Sequence, residues 1–144
     1  MNQEAPQTIA LEYDLPHPPA KVWRALTEPA LLAKWIMSTD MNPAVGEQFT
    51  FRMDPTPWWD GIVNCEVLKV EPLELISYTW GGGPAGNEID TVVTFTLKPT
   101  AAGGTLLSFE HSGFVPSNKF AYQGAQQGWT QNLGERLPVV LAEL

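Results

Sequence analysis

The sequence has few of the residues that anchor metal and thiol chemistry. It contains one cysteine, Cys65, and two histidines, His17 and His111. A single cysteine cannot form an internal disulfide, and sparse cysteine is typical of proteins of reducing compartments. Three potential ligands so far apart in sequence do not form a zinc-binding motif. We therefore expect no structural disulfide and no metal site, and we expect a cytoplasmic location.

Positive charge is also scarce. Eight basic residues stand against 16 acidic ones, which gives a net charge of −8, and the Lys and Arg residues are scattered singly. No basic stripe is available to neutralise phosphates, so nucleic acid and anionic membrane are not expected partners. The apolar runs are far shorter than the roughly 20 residues of a membrane span. The first residues also lack the basic end and the long apolar core of a signal peptide.

Catalytic and cofactor motifs are missing as well. The sequence has no GxSxG nucleophile elbow, and its "GGGPAGN" stretch leads into a strand pattern instead of a helix. A phosphate-binding loop requires the helix. We therefore interpret this stretch as a mobile hairpin tip, and we expect no cofactor.

The sequence does have clear strand and helix patterns. In "TIALEYDL" the apolar residues alternate and predict a first strand with Ile9, Leu11, Tyr13 and Leu15 on one face. The period then changes in "PHPPAKVWRALTEPALLAKW", where prolines can open helices because the first helical positions need no donor. This stretch predicts two short helices.

The boundaries of these two helices follow from their end residues. Pro18 and Pro19 are expected to open the first helix, and Thr27 to cap the second, which should end near Trp35.

A strand meander follows residue 44. "GEQFTFRM" places Phe49, Phe51 and Met53 on one strand face, and four further strand patterns follow it. These patterns are "WWDGIVNCEVLKV", "LELISYTW", "EIDTVVTFTL" and "TLLSFEHSGF". The joints between them are short and rich in glycine and proline, which favours antiparallel hairpins over crossover helices.

The chain ends in a long amphipathic helix with weak points. Ser117 is the expected N-cap, Gly124 and Gly128 are placed on the solvent side, and Pro138 should kink the helix near Gly134. At about 100° per residue the apolar stripe includes Tyr122, Gln126, Trp129, Leu133, Leu137, Val140 and Leu144. We expect this helix to cover one face of the sheet and to be loosely held.

The order β-α-α-β-β-β-β-β-α predicts an α+β fold that forms a single domain over residues 1–144. The residues that carry this order also resemble a known family. "PPAKVWRALTEPALLAKW" is similar to the helical signature of the START-like, or SRPBCC, helix-grip superfamily. Within it the chain resembles the branch related to the activator of the ninety-kilodalton heat-shock protein ATPase. The likeness continues through "VGEQFTF", "TVVTFTLKP", "GTLLSFEHSGF" and "QGWTQNL".

The resemblance implies a curved antiparallel sheet of six or seven strands wrapped around the C-terminal helix, with a hydrophobic cavity between them. Members of the superfamily bind lipids, sterols, polyketides or hormones there, and a few catalyse cyclisation or hydrolysis. The leading hypothesis is therefore a binding protein for a small apolar or amphipathic molecule. The alternatives are a chaperone-associated or other protein-interaction module, such as a stress-response regulator, and a cyclase or hydrolase.

Aromatic residues concentrate in the segments expected to surround that cavity. They form either an ordinary core or, as a set filling a wide concavity, a cavity wall. The predicted ligand-binding set is Trp35, Phe51, Trp59, Trp80, Phe95, Phe109, His111, Phe114, Tyr122, Gln126, Trp129 and Leu133. Gln126, Asn132 and His111 are the candidate polar groups.

His111 is the one weak catalytic candidate. Glu110 cannot easily pair with it, because adjacent strand residues point to opposite faces. On the apolar face a histidine is either a hydrogen-bonded structural residue or a group that orients a ligand. A second candidate pair, Glu88 and Asp90 with Arg52 nearby, is interpreted as a solvated strand edge. The oligomeric state is left open between a monomer and a weak homodimer.

Overall fold

The computed structural model describes residues 7–57, 59–83 and 88–144. Trp58 and the tip of the predicted "GGGPAGN" hairpin lie outside the described residues. The elements are β1 (Gln7–Leu15), α1 (Pro19–Thr27), α2 (Pro29–Trp35), β2 (Ser38–Thr39), β3 (Gln48–Arg52), β4 (Ile62–Glu71), β5 (Leu75–Gly82), β6 (Ile89–Pro99), β7 (Thr105–Phe114), α3 (Lys119–Gln131) and α4 (Leu137–Ala142).

Seven strands form one antiparallel sheet in the order β1-β7-β6-β5-β4-β3-β2. Strands β3 to β7 pair with their sequence neighbours, and β1 closes the sheet beside β7. The predicted α+β class and meander are therefore confirmed. The two-residue β2, which pairs with β3, is missing from the predicted order because two residues carry no readable alternation.

Both early helices begin at a proline: α1 begins at Pro19 directly after Pro18, as predicted, and α2 begins at Pro29. The prediction that Thr27 caps the second helix is wrong. Thr27 is the last residue of α1, where its hydroxyl donates to the Trp23 carbonyl oxygen, and it does not occupy the cap position of α2. Glu28 occupies the cap position of α2.

The predicted cap of the last helix is also wrong by one residue. A single 3-10 turn covers Pro116–Asn118, and α3 starts at Lys119 after Asn118. The Asn118 amide nitrogen donates to the Glu88 carbonyl oxygen at 3.3 Å, and its amide oxygen accepts the Val115 N–H at 3.2 Å. Asn118 therefore ties the start of α3 to the start of β6.

The predicted irregularity near Gly134 is present as a π-helical segment, Asn132–Arg136, between α3 and α4. Pro138 has no N–H to give to the Gly134 carbonyl, which breaks the regular ladder at this point. The Leu137 N–H instead reaches back five residues to the Asn132 carbonyl. Among the helices of the described chain, none is both long and apolar enough to cross a membrane.

The core lies between the sheet and the second part of the C-terminal helix. Trp129, Leu133, Leu137 and Val140 of the predicted stripe are buried there. Three other members differ from the prediction: Tyr122 is half-buried, Gln126 is exposed, and Leu144 lies beyond α4 and is exposed. The residues of the stripe are therefore buried only where the helix packs directly on side chains of the sheet.

Candidate ligand-binding cavity

A closed aromatic cluster fills the centre of the sheet's inner face. Trp129 packs against Phe109, with 4.5 Å between ring centroids, and against Trp80 at 5.1 Å. Phe95 contacts Phe109 at 5.0 Å. Trp35 is also fully buried, and its indole N–H donates to the Ala25 carbonyl oxygen at 2.9 Å. These rings occupy the space in which the sequence suggested a cavity.

His111 lies inside this cluster with both ring nitrogens engaged. The Trp129 N–H donates to His111 Nδ1 at 3.0 Å. The Thr91 hydroxyl donates to the Trp80 carbonyl oxygen at 2.7 Å, so its oxygen accepts the His111 Nε2–H, also at 2.7 Å. These hydrogen bonds identify His111 as a neutral imidazole with its proton on Nε2.

Burial lowers the pKa of His111 to about 3, because the charged imidazolium would lose its hydration in this closed site. A group that stays neutral down to that pH and has no free nitrogen is poorly suited to act as a general base near pH 7. This arrangement matches the alternative in which His111 is a hydrogen-bonded structural residue.

An apolar cavity of about 370 Å³ lies beside this cluster, under the first half of α3. We refer to it as the α3 cavity. Its wall is formed by Met37, Met53, Trp59, Val63, Trp80, Gly81, Gly82, Gly83, Ile89, Ala121, Gly124 and Ala125. Its volume falls within the range of small-molecule pockets, roughly 300–1,000 Å³.

Small residues explain why the space stays open. The helix contributes Ala121, Gly124 and Ala125, and the sheet contributes the glycines at the end of β5. A Cβ atom built on Gly124 would meet no atom within 4 Å. One turn further along the helix, Trp129 fills the corresponding space with an indole. The cavity therefore exists where the helix has no large side chain facing the sheet.

Trp59 is positioned by a short loop between β3 and β4. The Met53 N–H donates to the Gly61 carbonyl at 2.9 Å, and the Thr56 N–H donates to the Trp59 carbonyl at 2.8 Å. Gly61 has φ of 77°, and a Cβ there would collide with the Met53 carbonyl oxygen. Glycine is thus required for the loop to close and to hold the indole against the cavity.

The structure separates the predicted site residues into two groups. Trp59 and Trp80 line the α3 cavity. The remainder do not: Tyr122 is half-buried beside Phe114, Gln126 is exposed, and the others belong to the closed core, namely Trp35, Phe51, Phe95, Phe109, His111, Phe114, Trp129 and Leu133. These eight residues do not line the α3 cavity, because their side chains are buried and pack against one another.

Sequence reasoning missed most of the actual wall. Gly124 is exposed to solvent, as predicted, and it also lines the cavity, which the sequence did not indicate. Met53 was placed in the strand, whereas β3 ends at Arg52 and Met53 is half-exposed at the cavity. A signal was available in Ala121, Gly124 and Ala125, whose spacing puts three small residues on one helix face.

The other candidate groups lie elsewhere. Arg52 donates to the Thr50 hydroxyl at 3.0 Å, and in the described residues it makes no ion pair with Glu88 or Asp90. Cys65 is buried, and burial raises the pKa of its thiol, which disfavours the reactive thiolate. Within the described ranges, no group of three or more His, Cys, Asp or Glu residues could hold a metal ion.

Solved structures with the same fold cover almost the whole chain. The protein MLL2253 of Mesorhizobium loti has 44% sequence identity and a TM-score of 0.86 over 95% of this chain and 98% of its own. CV1439 of Chromobacterium violaceum has 28% identity and a TM-score of 0.73, with 93% and 96% of the two chains covered. BH1534 of Bacillus halodurans has 27% identity and a TM-score of 0.74, with 98% and 99% covered.

No curated protein matches the chain. The family model described as "Activator of Hsp90 ATPase homolog 1-like protein" matches residues 16–142, which include every element from α1 to α4. This match and the shared fold confirm the resemblance seen in the sequence. The chain belongs to the family of activator of Hsp90 ATPase homolog 1-like proteins, within the helix-grip fold.

Proposed function

We propose that the protein binds a small apolar or amphipathic molecule in the α3 cavity and does so without catalysing a reaction. The observation that carries this proposal is the cavity itself, an apolar space of about 370 Å³ bounded by two indoles and by small residues of the helix. An open space this large beside a tightly packed core loses packing energy unless something fills it. Membership in a superfamily whose members bind apolar ligands supports the same assignment.

The start of α3 provides the route of entry. From Lys119 to Gly128 no residue of the helix is buried, and Gly124 and Gly128 each weaken the helix by about 1 kcal/mol relative to alanine. A segment with so few buried contacts opens at low free-energy cost. A ligand can thus enter by displacing this half while Trp129 and Leu133 hold the other half in place.

The test compares two glycines of one helix. Gly124 lines the cavity and Gly128 does not, and a Cβ atom at either position meets nothing within 4 Å. Gly124→Leu should extend into the cavity and weaken binding of the neutral fluorescent probe N-phenyl-1-naphthylamine at least tenfold. Gly128→Leu should leave the affinity within twofold.

Fluorescence titration of the probe measures both affinities, and circular dichroism confirms that both variants keep the fold. Equal affinities for Gly124→Leu and the unmodified protein would contradict this site. Failure of the unmodified protein to bind the probe would contradict the proposed function.

A protein-interaction role is the second candidate, and Phe120 is the observation that favours it. Its side chain is 82% exposed at the first turn of α3, near the half-exposed Val115. A partner bound there should be captured by the unmodified protein and by Gly124→Leu, and lost with Phe120→Ser. Capture that Phe120→Ser leaves unchanged would contradict this candidate.

A further inference from the structure

Trp59 differs from the buried tryptophans Trp35 and Trp129 in the hydrogen bonding of its indole N–H. Trp35 donates to the Ala25 carbonyl and Trp129 donates to His111, so both N–H groups are satisfied. The Trp59 Nε1 atom is enclosed, yet no hydrogen-bond partner lies within the part of the chain that the structure describes. A buried donor without an acceptor is destabilising, and such groups in native proteins call for a specific explanation.

The position of this donor suggests the explanation. Two enclosed side-chain groups have no partner among the described residues, and one of them, the Tyr78 hydroxyl, lies in the core, where Phe49, Phe51 and Phe95 contact its ring. Trp59 alone of the two lines the α3 cavity. An acceptor on a molecule bound in the cavity could reach this indole, whereas Tyr78 is fully buried and does not line the cavity.

The charges around the cavity restrict what that molecule can be. None of the described residues of the wall is charged. A second, more polar hollow shares Trp59 and Gly83 with the cavity, and it is lined by the carboxylate residues Asp60 and Glu88. A buried anion would find no cation among the described wall residues and would lie near two acids, in a protein of net charge −8.

We propose that the natural ligand of the α3 cavity is uncharged and carries a carbonyl or ether oxygen that accepts a hydrogen bond from Trp59 Nε1. This inference rests on the proposed function and narrows it: ionised fatty acids are excluded, and neutral ketones, esters, lactones and ethers of apolar molecules are favoured.

The enclosed nitrogen becomes reachable when a wall side chain moves. Met37 and Met53 are the flexible members of the wall, and Met53 is 50% exposed. Unbranched thioether side chains change rotamer at little cost, so they can make way for the ligand oxygen.

Three naphthalene probes of similar size test the proposal by displacement of N-phenyl-1-naphthylamine. 2-Acetylnaphthalene carries a carbonyl acceptor, 2-ethylnaphthalene carries none, and 2-naphthoate is an anion. The acetyl compound should bind about three- to tenfold tighter than the ethyl compound, as expected for one added hydrogen bond. 2-Naphthoate should bind more weakly than both.

Trp59→Phe removes the donor and keeps an aromatic ring, so the advantage of the acetyl compound should vanish. Trp80→Phe is the matched control, because it trims another indole of the same wall and should preserve that advantage. Equal binding of the acetyl and ethyl compounds, or an acetyl advantage that survives Trp59→Phe, would overturn the hydrogen-bond assignment.

The anionic probe 2-naphthoate tests the second part of the proposal, that the ligand is uncharged. Binding of 2-naphthoate as tight as that of the acetyl compound would overturn it. Either failure leaves the proposed function standing so long as Gly124→Leu still weakens the fluorescent probe. If none of the probes binds the unmodified protein, the proposed function and this inference fail together.

Discussion

The two halves of the C-terminal helix meet the same sheet in different ways. From Lys119 to Gly128 the helix buries none of its residues, and it contributes only Ala121, Gly124 and Ala125 to the described wall of the α3 cavity. From Trp129 to Leu141 it buries an indole and a row of aliphatic side chains, and its end also packs against α1 and α2. One element therefore anchors the fold with one half and roofs a cavity with the other.

The difference shows that cavity and core depend on side-chain size more than on backbone path. Large rings lie under both halves: Trp59 of the β3–β4 loop and Trp80 of β5 under the first half, and Phe95 and Phe109 of the sheet under the second. Trp129 covers the second pair and also contacts Trp80, whereas Ala121 and Ala125 leave a space beside Trp59 and Trp80. The π-helical segment and the weak first half fit this division, because only the second half must stay docked.

The largest effect is expected from removing the anchor of the second half. Trp129→Ala should lower the free energy of unfolding by about 3–5 kcal/mol, since it leaves a large space and an unpaired acceptor on His111. Tyr122→Ala, in the half-buried first half, should cost only about 1 kcal/mol. Urea unfolding measures both values, and equal losses would contradict the division of the helix.

Acid should act on the second half through His111. Its pKa is about 3 in the folded protein and about 6.5 when unfolded. Between these values the unfolded state binds more protons, so stability falls as the pH is lowered through this window. Lowering the pH from 7 to 5 should cost about 2 kcal/mol of unfolding free energy, measured by urea titration at each pH.

Two histidine variants separate this effect from general acid sensitivity. His111→Gln can still accept from Trp129 and donate to Thr91 but does not titrate, so most of the loss between pH 7 and 5 should disappear. His17→Gln, at the partly exposed histidine, should retain most of it. The Asp40 carboxyl accepts the Thr50 N–H, which lowers the pKa of Asp40. The stability that this carboxylate contributes is therefore lost only below the window from pH 7 to 5. An unchanged loss in His111→Gln would show that another group controls the transition.

The sequence was sufficient for the fold and for the order of its elements, apart from the two-residue strand β2. Alternation along β1, the prolines that open α1 and α2, and the aromatic meander are local patterns that tertiary packing did not override. Errors at Thr27 and Ser117 are of one residue, where several side chains could serve as caps and only the three-dimensional contacts choose among them.

The position of the cavity could not be predicted from local sequence patterns. Periodicity identifies the face on which Phe109, His111 and Trp129 lie, but it does not say whether their rings leave a gap. That depends on distances across the fold, and here the rings interlock. The gap lies instead under Ala121 and Gly124, where the informative feature is the absence of side-chain atoms.

The central claim, that a ligand occupies the space under the first half of α3, can be tested by methyl NMR. With 2-acetylnaphthalene as ligand, intermolecular NOEs should reach the methyl groups of Met37, Ile89, Ala121 and Ala125. The methyls of Leu133 and Leu137, in the closed second half, should show none. NOEs that centre on Leu133 and bypass the two alanines would place the ligand in the aromatic core and contradict the account.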